Sequence, residues 1–407
     1  MSDHPTPLRR KLLFLTSLYP SSLGSGSQMR GAAILRMLAG KYEVHLLVLN
    51  LYERIAGPED PAVRELCREV HALKIVSAPQ AGTGARPSER SQFEIGNIAE
   101  VDRREADRVV LRYFQENHFD VLFIFRLQSL FAITGTLALF PRREFDLDEV
   151  VSSSFERMER LALAPGEALP AASVARLKGF NFLEKLYVPK FHRVFVSSEV
   201  EIGRVQQSTG FANAELLPNI YPPRPFLPYQ PQAQPQEILF VGLLDFAPNT
   251  DAVIHFCREV FPLIRQAKGE GVSFRIVGFN CPESIRAFHG QDGIEVSGYV
   301  RDLDEVYTRA SLVVVPLRAG GGTKLKILEA FSYGRPVVTT SIGAEGIAVT
   351  PGKELLIADT PETFAKTCLE VLDQPDLAQT LIREGRKLVQ SRYTAEDLSQ
   401  AYGESFA

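Results

Sequence analysis

The chain has 407 residues, which exceeds what one hydrophobic core usually holds, so its length predicts two domains. Its composition, 45% hydrophobic and 23% charged, is typical of a globular protein that folds in water. A formal net charge of −4 excludes the strongly basic surface on which nucleic-acid binding depends. The four cysteines have no metal-binding spacing and indicate reduced thiols in a cytoplasmic protein: Cys67, Cys257, Cys281 and Cys368.

Membrane-spanning segments are not predicted. No stretch approaches the roughly 20 consecutive apolar residues that a transmembrane helix needs. The apolar run Leu12–Leu15 has the length of a strand and is too short for the core of a signal peptide. We therefore expect a soluble cytoplasmic protein whose contact with a membrane would at most be peripheral.

The first half of the chain alternates predicted strands and helices, which is typical of a parallel α/β sheet. A strand at Lys11–Ser17 leads through a Gly/Ser turn into a helix at Met29–Leu38. We interpret the turn, with Gly24, Gly26 and Arg30, as a loop contacting phosphate or acceptor; a plain strand–helix turn is the alternative. Further strands are predicted at Glu43–Leu49, Ala72–Val76, Asp120–Phe125, Glu144–Val151 and Arg193–Ser197, and helices at Glu94–Asn117 and Ala164–Glu184.

A proline-rich segment divides the chain. Tyr221–Gln236, YPPRPFLPYQPQAQPQ, cannot continue a helix or a central strand and indicates an interdomain linker. We predict a first domain at 1–220, the linker at 221–236 and a second domain at 237–390; a last helix at about 391–407 is able to pack back on the first. The alternation restarts after the linker, with strands at Glu237–Val241, Ser273–Val277 and Ile294–Val296 and helices at Asp251–Ala267, Glu283–Phe288 and Asp376–Gln390.

The segment Ser311–Ile347 carries the clearest local pattern. It predicts a strand at Ser311–Pro316, a glycine turn at Arg318–Gly322 and a helix at Lys324–Tyr333 with Thr323 as its N-cap. Gly334 is a candidate for the C-terminal cap, and a second buried strand follows at Val337–Thr340. Such a strand–loop–helix unit presents backbone N–H groups at which an anion can bind.

Four motifs in the second half resemble, in order and spacing, the C-terminal domain of GT-B-fold glycosyltransferases. They are ILFVGLLDFAPN (Ile238–Asn249), FRIVGFN (Phe274–Asn280), EVSGYVRDLDEVY (Glu295–Tyr307) and PLRAGGGTKLKILEAFSYGRPVVTT (Pro316–Thr340). The similarity is to the retaining group-1 (family-4) class, and LYPSSLGSGSQMR resembles that class's N-terminal glycine loop. The resemblance implies two Rossmann-like domains facing each other across a cleft.

The resemblance also implies a function. It implies a hexosyltransferase that moves a sugar from a nucleotide-diphosphate sugar to an acceptor with retention, as in polysaccharide or glycoconjugate biosynthesis. The donor would be bound mainly by the second domain and the acceptor by the first. Neither a metal nor a cofactor beyond the nucleotide-sugar co-substrate is implied. The sequence leaves open the base, the sugar and an acceptor that is a glycan, a lipid-linked molecule or a small molecule.

The catalytic candidates are three charged residues, Lys326, Glu329 and Arg318, and Lys324 is a further donor-binding candidate. Glu329 falls on the family's helix glutamate that hydrogen-bonds the ribose hydroxyls, and a carboxylate is a good acceptor for a vicinal diol. Lys326 would neutralise the leaving diphosphate; the alternative is an i, i+3 surface pair with Glu329. Arg318 and Lys324 are weaker candidates for the same neutralising role.

Backbone groups supply the other predicted donor contacts. The glycine turn and the residue after it offer unhindered N–H groups to a diphosphate or to sugar hydroxyls: Gly320, Gly321, Gly322 and Thr323. A merely flexible turn is the alternative. Three residues at strand ends lie where the family's backbone meets phosphate or base: Gly242, Gly278 and Val300.

The chain departs from the family's pattern at several positions. Gly321 stands where the family often has a glutamate that touches the donor sugar, and GLLDFAPN lacks the usual Arg and Lys. No N-terminal histidine is at the expected strand end, where the acceptor-side candidate Arg126 stands instead. Asp148 and Glu149 are the other acceptor-side candidates; the pair Asp146 and Asp148 superficially resembles a metal-binding Asp-x-Asp, but we predict no metal there.

Two other functions stay open at this point. A sugar-nucleotide epimerase shares the fold, although it would be expected to carry more acid and base groups. A non-catalytic partner or scaffold protein of the same fold is suggested by Gly321 and by the missing histidine. Turnover of nucleotide-sugars separates the three, since only the epimerase makes a new free sugar nucleotide without an acceptor.

Overall fold

Two parallel β-sheets with flanking helices organise the residues described by the computed structural model: 9–22, 24–50, 60–74, 103–130, 133–161, 163–164, 166–224, 227–230 and 235–403. The chain separates into two compact units. The first comprises Met1–Val150, Gly179–Val196 and Ile202–Leu217, and the second comprises Val151–Lys178, Ser197–Glu201 and Pro218–Ala407. The predicted α/β class is confirmed, and the predicted domain boundaries stay a prediction.

Seven strands among the described residues form the sheet of the first unit: β1 (Lys11–Thr16), β2 (Glu43–Asn50), β3 (Glu69–Lys74), β4 (Val121–Phe125), β5 (Arg142–Asp148), β6 (Arg193–Val196) and β7 (Ala214–Leu216). They are parallel and lie in the order β3-β2-β1-β4-β5-β6-β7. Leu12–Leu15 in β1 are fully buried, as expected for a central strand of a parallel sheet covered on both faces. The chain order reverses between β1 and β4.

Six strands in the described part of the second unit form the other sheet: β8 (Gln236–Val241), β9 (Val272–Val277), β10 (Ile294–Gly298), β11 (Ala310–Val315), β12 (Val337–Thr339) and β13 (Leu356–Ile357). These strands are also parallel, in the order β10-β9-β8-β11-β12-β13. The reversal here lies between β8 and β11. In open parallel sheets, ligands bind outside the carboxyl ends of the strands at such a reversal.

The described helices surround these sheets. In chain order they are α1 (Gly26–Ala39), α2 (Pro61–Arg64), α3 (Arg103–Asn117), α4 (Leu127–Leu130), α5 (Val151–Leu161), α6 (Ala171–Tyr187), α7 (Glu199–Thr209), α8 (Ala247–His255), α9 (Phe261–Lys268), α10 (Glu283–Arg286), α11 (Leu303–Arg309), α12 (Leu325–Ser332), α13 (Ser341–Ala344), α14 (Pro361–Asp373), α15 (Pro375–Arg392) and α16 (Ala395–Gly403). No helix in these ranges is long and apolar enough to cross a membrane.

Helix boundaries differ from the predictions where local chemistry intervenes. Helix α1 begins three residues earlier than predicted, because the Gln28 side chain accepts a hydrogen bond from the Ser25 N–H (3.0 Å) and caps the first turn. The predicted helix Asp251–Ala267 consists of α8, a π-helical turn at Phe256–Val260 and α9. Pro262 in the first turn of α9 lacks the N–H that would continue an uninterrupted α-helix.

The proline-rich segment belongs to the second unit and is hydrogen-bonded to the rest of it at several of its described residues. The Arg224 N–H donates to Ser332 Oγ (3.0 Å), at the end of α12. The fully buried guanidinium of Arg335 donates to the carbonyl oxygens of Leu227 and Pro228, both at 3.1 Å. Proline prevents regular secondary structure here, so these carbonyl oxygens do not accept from a helix or a sheet and instead accept from the Arg335 side chain.

Some predictions fall outside the described residues. The predicted strand Ala72–Val76 overlaps the end of β3, and its residues 75–76 lie outside the described ranges. The predicted helix Glu94–Asn117 is observed as α3 from Arg103, and residues 94–102 lie outside. The strand predicted at Glu144–Val151 is β5, and Val151 instead begins α5. The helix predicted from Ala164 begins at Ala171.

Candidate active site

The reversal point of the second sheet brings together most of the predicted donor-site residues. Gly242 directly follows β8, Gly278 directly follows β9, and residues 316–324 lead from β11 to α12. Val300, which is half-buried, follows β10. All these segments therefore leave the carboxyl edge of one sheet, the edge at which parallel α/β sheets bind ligands.

Gly242 and Gly278 make a close backbone approach at this edge. A Cβ atom on Gly278 would stand 1.7 Å from the Gly242 carbonyl oxygen, so no side chain fits at residue 278. The Gly278 N–H donates to the Gly298 carbonyl oxygen (2.8 Å), which ties the ends of β9 and β10 together. The missing side chains at residues 242 and 278 thus let the two strand ends and the Lys326 ammonium pack closely together.

The glycine turn after β11 has the backbone conformation that its sequence predicts. Gly320 and Gly322 have φ of 122° and 59°, values that favour glycine. Lys324 braces the turn, because its Nζ donates to the carbonyl oxygens of Gly321 (3.0 Å) and Gly322 (2.7 Å). The Lys324 ammonium is thus engaged with the turn that was predicted to cradle a diphosphate.

The predicted N-cap role of Thr323 is wrong. Helix α12 begins at Leu325, and Lys324 occupies the N-cap position. The Thr323 hydroxyl instead lies 3.2 Å from two carbonyl oxygens, those of Ser197 and Gly346, and its single proton is shared between these acceptors. These two acceptors come from distant parts of the second unit's sequence, so no local pattern indicated them.

Lys326 lies beneath the end of β8. Its Nζ donates to Asn249 Oδ1 (2.7 Å) and stands 4.1 Å from the centre of the Phe240 ring. The residue as a whole keeps some exposure, but burial of the ammonium lowers its pKa to about 7, with Glu329 opposing and Lys324 adding to the shift. Its hydrogen-bond partner is Asn249, on α8, rather than Glu329 as the surface-pair alternative required.

Glu329 is held by two tyrosine hydroxyls. Tyr221 donates to its Oε2 (2.6 Å) and Tyr307 to its Oε1 (2.7 Å). Both tyrosines are buried, while Glu329 is only half-buried. Burial, together with the negative charge of Glu329, raises the pKa of Tyr221 and of Tyr307 well above the ordinary value of a phenol. Both hydroxyls therefore stay protonated and act as donors. Neither tyrosine was predicted from the sequence as a functional residue.

A second aromatic layer supports this pair. The Tyr333 ring stacks on Tyr307 with centroids 4.2 Å apart and an interplanar angle of 10°. The Tyr333 hydroxyl does not share the same acceptor: it donates to Asp304 Oδ1 (2.8 Å). The Arg224 guanidinium lies 5.9 Å from the ring centre of Tyr221 and 5.7 Å from that of Tyr333.

Two arginines flank the glycine turn. Arg318 forms a bidentate pair with Asp251 (2.9 and 2.5 Å), so much of its charge is compensated on an exposed surface. Arg157, on α5, was not predicted; it donates to the Gly320 carbonyl oxygen (3.1 Å) and to Glu345 (2.5 and 3.2 Å). Its position follows from the packing of α5 in the second unit, which no motif signalled.

A separate cluster lies at the carboxyl edge of the first sheet. Arg30, predicted as a contact residue of the N-terminal loop, is 3% exposed and pairs with both oxygens of Asp146 (2.9 and 2.6 Å). Asp148 is a further partner at 3.4 Å. Burial raises the pKa of Asp146 to about 6, although Arg30 opposes the shift. The DLD pair is therefore bound to an arginine.

The acceptor-side candidates belong to this cluster. Arg126 donates to Ser27 Oγ, and its Nη2 lies 3.5 Å from Glu149 Oε1. Arg126 and Asp148 have φ of 69° and 66°, a left-handed conformation that is uncommon for residues other than glycine. Strained backbone of this kind clusters at functional sites.

The two glycines of the N-terminal loop are less informative. Gly26 is the first residue of α1, and a Cβ on Gly24 would stand 2.5 Å from Gln28 Oε1. Both positions are explained by the cap of α1, so the plain strand–helix turn accounts for them. In the described ranges, no group of three or more His, Cys, Asp and Glu side chains is placed to hold a metal ion.

Comparison with known proteins adds a family match. Residues 235–374 match the family described as glycosyl transferases group 1. A curated relative, an uncharacterized 44.6 kDa protein in the cps region of Klebsiella pneumoniae, is 30% identical over 138 residues. That match covers 32% of this chain and about a third (35%) of the relative.

Solved structures resemble the whole chain. Sucrose-phosphate synthase from Thermosynechococcus elongatus has a TM-score of 0.71 at 15% identity, with 98% of each chain covered. HepE from Anabaena, solved in complex with UDP and glucose, has a TM-score of 0.66 at 12% identity, covering 98% of this chain and 99% of that one. At such identities the likeness shows the fold, and the predicted GT-B fold is confirmed.

Proposed function

We propose that this chain, whose residues 235–374 match the family of group 1 glycosyl transferases, transfers a sugar from a nucleotide-diphosphate sugar to an acceptor with retention of configuration. One observation carries the proposal: Lys326 and Glu329 lie on one helix at the reversal point of the second sheet. They are three residues apart, about 4.5 Å along the axis. A cation and a diol acceptor at that separation suit a diphosphate and the ribose beside it.

The proposed donor contacts divide by chemistry. The Glu329 carboxylate accepts hydrogen bonds from the ribose hydroxyls, and Lys326 neutralises the diphosphate. The N–H groups of Gly320–Gly322 bind the diphosphate or the sugar hydroxyls, and the backbone at the strand ends, at Gly242 and Gly278, meets the phosphate or the base. Arg318 is a lesser contributor, because Asp251 already compensates much of its charge.

The proposed chemistry breaks the bond between the anomeric carbon and the diphosphate oxygen. The acceptor hydroxyl attacks from the face that the diphosphate leaves, so the configuration is retained. Its proton passes to the departing phosphate oxygen, and negative charge develops on the diphosphate. Lys326 and backbone N–H groups stabilise that charge, which is the dominant catalytic term for a reaction of this kind. Neither a metal nor a cofactor takes part in this proposal.

The sugar and the acceptor are less constrained. Gly321 has no side chain, so sugar recognition at that position would come from backbone groups. The relative HepE was also solved with UDP-glucose, which makes UDP-glucose the first donor to test. Acceptor contacts are proposed at the carboxyl edge of the first sheet, where Arg126, Asp148 and Glu149 lie with Arg30.

A panel of UDP-, GDP-, ADP- and dTDP-sugars tests the proposal. We expect at least one donor to bind and to release its nucleoside diphosphate, faster with an acceptor and equally well with EDTA present. Proton NMR of the product is expected to show the donor's anomeric configuration. Absence of binding and turnover across the panel would leave the non-catalytic partner, and a new free sugar nucleotide formed without acceptor would identify an epimerase.

The substitution Gly242→Ala tests whether donor binding depends on the position of the Lys326 ammonium. A Cβ at residue 242 would stand 2.9 Å from Lys326 Nζ and 3.1 Å from Asn249 Nδ2, so it would displace the ammonium. We expect donor affinity to fall about tenfold, or about 1.4 kcal/mol. Thermal stability should change little, because the nearest displaced atom is the end of a flexible side chain.

Gly203→Ala is the matched control for this substitution. A Cβ at Gly203, within α7, has nothing within 4 Å. Its donor affinity should equal that of the wild type. An unchanged donor affinity in Gly242→Ala, measured by isothermal titration, would contradict the placement of the diphosphate beside Lys326.

A further inference from the structure

The two hydrogen bonds to Glu329 use only part of the hydrogen-bond acceptor capacity of its carboxylate. An ionised carboxylate has about four lone-pair sites for hydrogen bonds. Tyr221 and Tyr307 use one site on each oxygen. About two sites remain, one per oxygen, and a vicinal diol offers two hydroxyl donors. The tyrosines thus leave the carboxylate with the capacity that a ribose needs.

Burial indicates which side of the carboxylate those sites face. Tyr307 is fully buried and Tyr221 is 2% exposed, so both hydroxyls reach Glu329 from the protein interior. Glu329 itself is only half-buried, so part of the residue faces solvent, and we expect this part to be the side away from the two buried tyrosines. On this arrangement the tyrosines occupy the lone pairs that face the interior, and we infer that the other lone pairs are accessible to a ligand.

The hydroxyls are also rigidly placed. Tyr307 is clamped by its stacked neighbour Tyr333 and donates from a helix, α11, that precedes the strand leading to the glycine turn. Tyr221 comes from the proline-rich linker, whose backbone is bonded to the end of α12 at Ser332. A glutamate has several rotatable bonds, and two fixed donors remove most of that freedom before a ligand arrives.

We propose that Tyr221 and Tyr307 are positioning residues for ribose recognition, whose hydroxyls hold Glu329 in the orientation that accepts the ribose diol of the donor. This inference rests on the proposed function. It also gives the proline-rich segment a role in donor specificity, because Tyr221 is the first residue of that segment. Removing either hydroxyl should lower discrimination between ribose and deoxyribose, and leave the rest of the nucleotide contacts in place.

The test measures dissociation constants for UDP, GDP and ADP, each paired with its 2′-deoxy counterpart, on the full-length chain. The ratio for the tightest-binding pair is then compared among wild type, Tyr221→Phe and Tyr307→Phe. We expect a wild-type preference for the ribonucleotide of at least about tenfold. Each variant should lose about three- to tenfold of that preference, through weaker ribonucleotide binding with deoxyribonucleotide binding nearly unchanged.

Tyr333→Phe is the matched control. It removes a hydroxyl from the same aromatic stack, but that hydroxyl is bonded to Asp304 and not to Glu329. A merely structural role of the tyrosines would weaken both nucleotides together and would move all three variants alike. The control should therefore keep the wild-type ratio, and circular dichroism should confirm that every variant is folded.

The outcomes separate the two claims. Wild-type ratios in Tyr221→Phe and Tyr307→Phe, with the ribonucleotide preferred in both, would overturn the positioning role and leave the proposed function standing. A wild-type ratio near one would overturn the assignment of Glu329 to ribose and the positioning role with it. Failure of the wild type to bind any of the six nucleotides would overturn the assignment of Glu329 to ribose, and if no sugar of the donor panel bound or turned over either, the proposed function itself would be overturned.

Discussion

Replacing Glu329 with alanine is expected to weaken nucleotide-sugar binding at least about 100-fold and to destabilise the protein by about 2–6 kcal/mol. The binding loss follows from removing the acceptor of both ribose hydroxyls, which otherwise form charge-assisted bonds. The stability loss has another cause: the buried hydroxyls of Tyr221 and Tyr307 lose their acceptor, at about 1–3 kcal/mol each. Isothermal titration measures the first effect and urea unfolding the second.

The effect of Glu329→Ala on nucleotide binding can be separated from its effect on stability in a variant that lacks both tyrosine hydroxyls. In the double variant Tyr221→Phe/Tyr307→Phe, Glu329→Ala leaves no tyrosine hydroxyl unpaired, so it should cost at least about 1 kcal/mol less stability than in the wild type. The loss of nucleotide affinity should persist in that background. Equal stability losses in both backgrounds would mean that the tyrosine–glutamate bonds do not contribute to folding. Retention of donor binding in Glu329→Ala would remove Glu329 from the site.

Replacing Lys326 with methionine is expected to lower kcat/KM about 10²- to 10³-fold, the usual cost of removing one group that stabilises developing charge. Methionine keeps the length of the side chain, so packing against Phe240 should survive. Lys366→Met is the control, because that lysine is exposed on α14. A loss smaller than about threefold in Lys326→Met would contradict its role at the leaving diphosphate.

The pH dependence of donor binding should report the same lysine. Burial lowers the pKa of Lys326 to about 7, so the ammonium is charged below that pH and neutral above it. Affinity for a nucleotide-sugar, whose diphosphate charge is fixed in this range, should therefore fall as pH rises through about 7. Binding near pH 7 should take up protons, and titrations in buffers of different ionisation enthalpy should detect this uptake in the wild type and not in Lys326→Met.

Folding stability should respond to pH in the opposite sense. The folded-state pKa of about 7 lies below the ordinary value of 10.5, so between these values the unfolded state binds more protons at this group. The contribution of Lys326 to the free energy of unfolding therefore rises with pH across that window. Lys326→Met should lack this rise, and an identical pH profile in both proteins would contradict the depressed pKa.

Local patterns were sufficient for the sheets but not for the contacts made across the sequence. The runs Leu12–Leu15 and Leu312–Val315 are continuous apolar stretches because both faces of a central parallel strand are covered. They predict buried strands without further information. The glycine turn is similarly local, since the positive φ values of Gly320 and Gly322 need glycine itself.

The partners of the predicted site residues come from distant segments. Tyr221 lies 108 residues from Glu329, and Asn249 lies 77 residues from Lys326. No periodicity or motif spacing encodes such pairs, because the chain topology alone brings them together. Tyrosines in apolar surroundings also resemble ordinary core residues in a sequence, so no local pattern marks their hydroxyls as functional.

Charged candidates were the least predictable from local sequence. A basic residue beside a glycine turn indicates an anion contact, but Asp251, 67 residues away, engages Arg318. The N-terminal Arg30 similarly turns to Asp146, 116 residues away. Burying the charge of Arg30 without a partner would be costly, and the Asp146 carboxylate supplies that partner. The role of either arginine toward a ligand remains a prediction.

The bonding of the proline-rich segment to the second unit bears on the design of chimeric enzymes. Arg335 is fully buried and relies on the carbonyls of Leu227 and Pro228, while Glu329 relies on Tyr221. A junction placed after this segment would transfer the second domain without its own proline-rich segment. The buried Arg335 guanidinium would then lose two acceptors, and the Glu329 carboxylate would lose one of its two tyrosine donors. Exchange of donor specificity between related chains should therefore succeed when the crossover lies before Tyr221 and fail when it lies after Gln236.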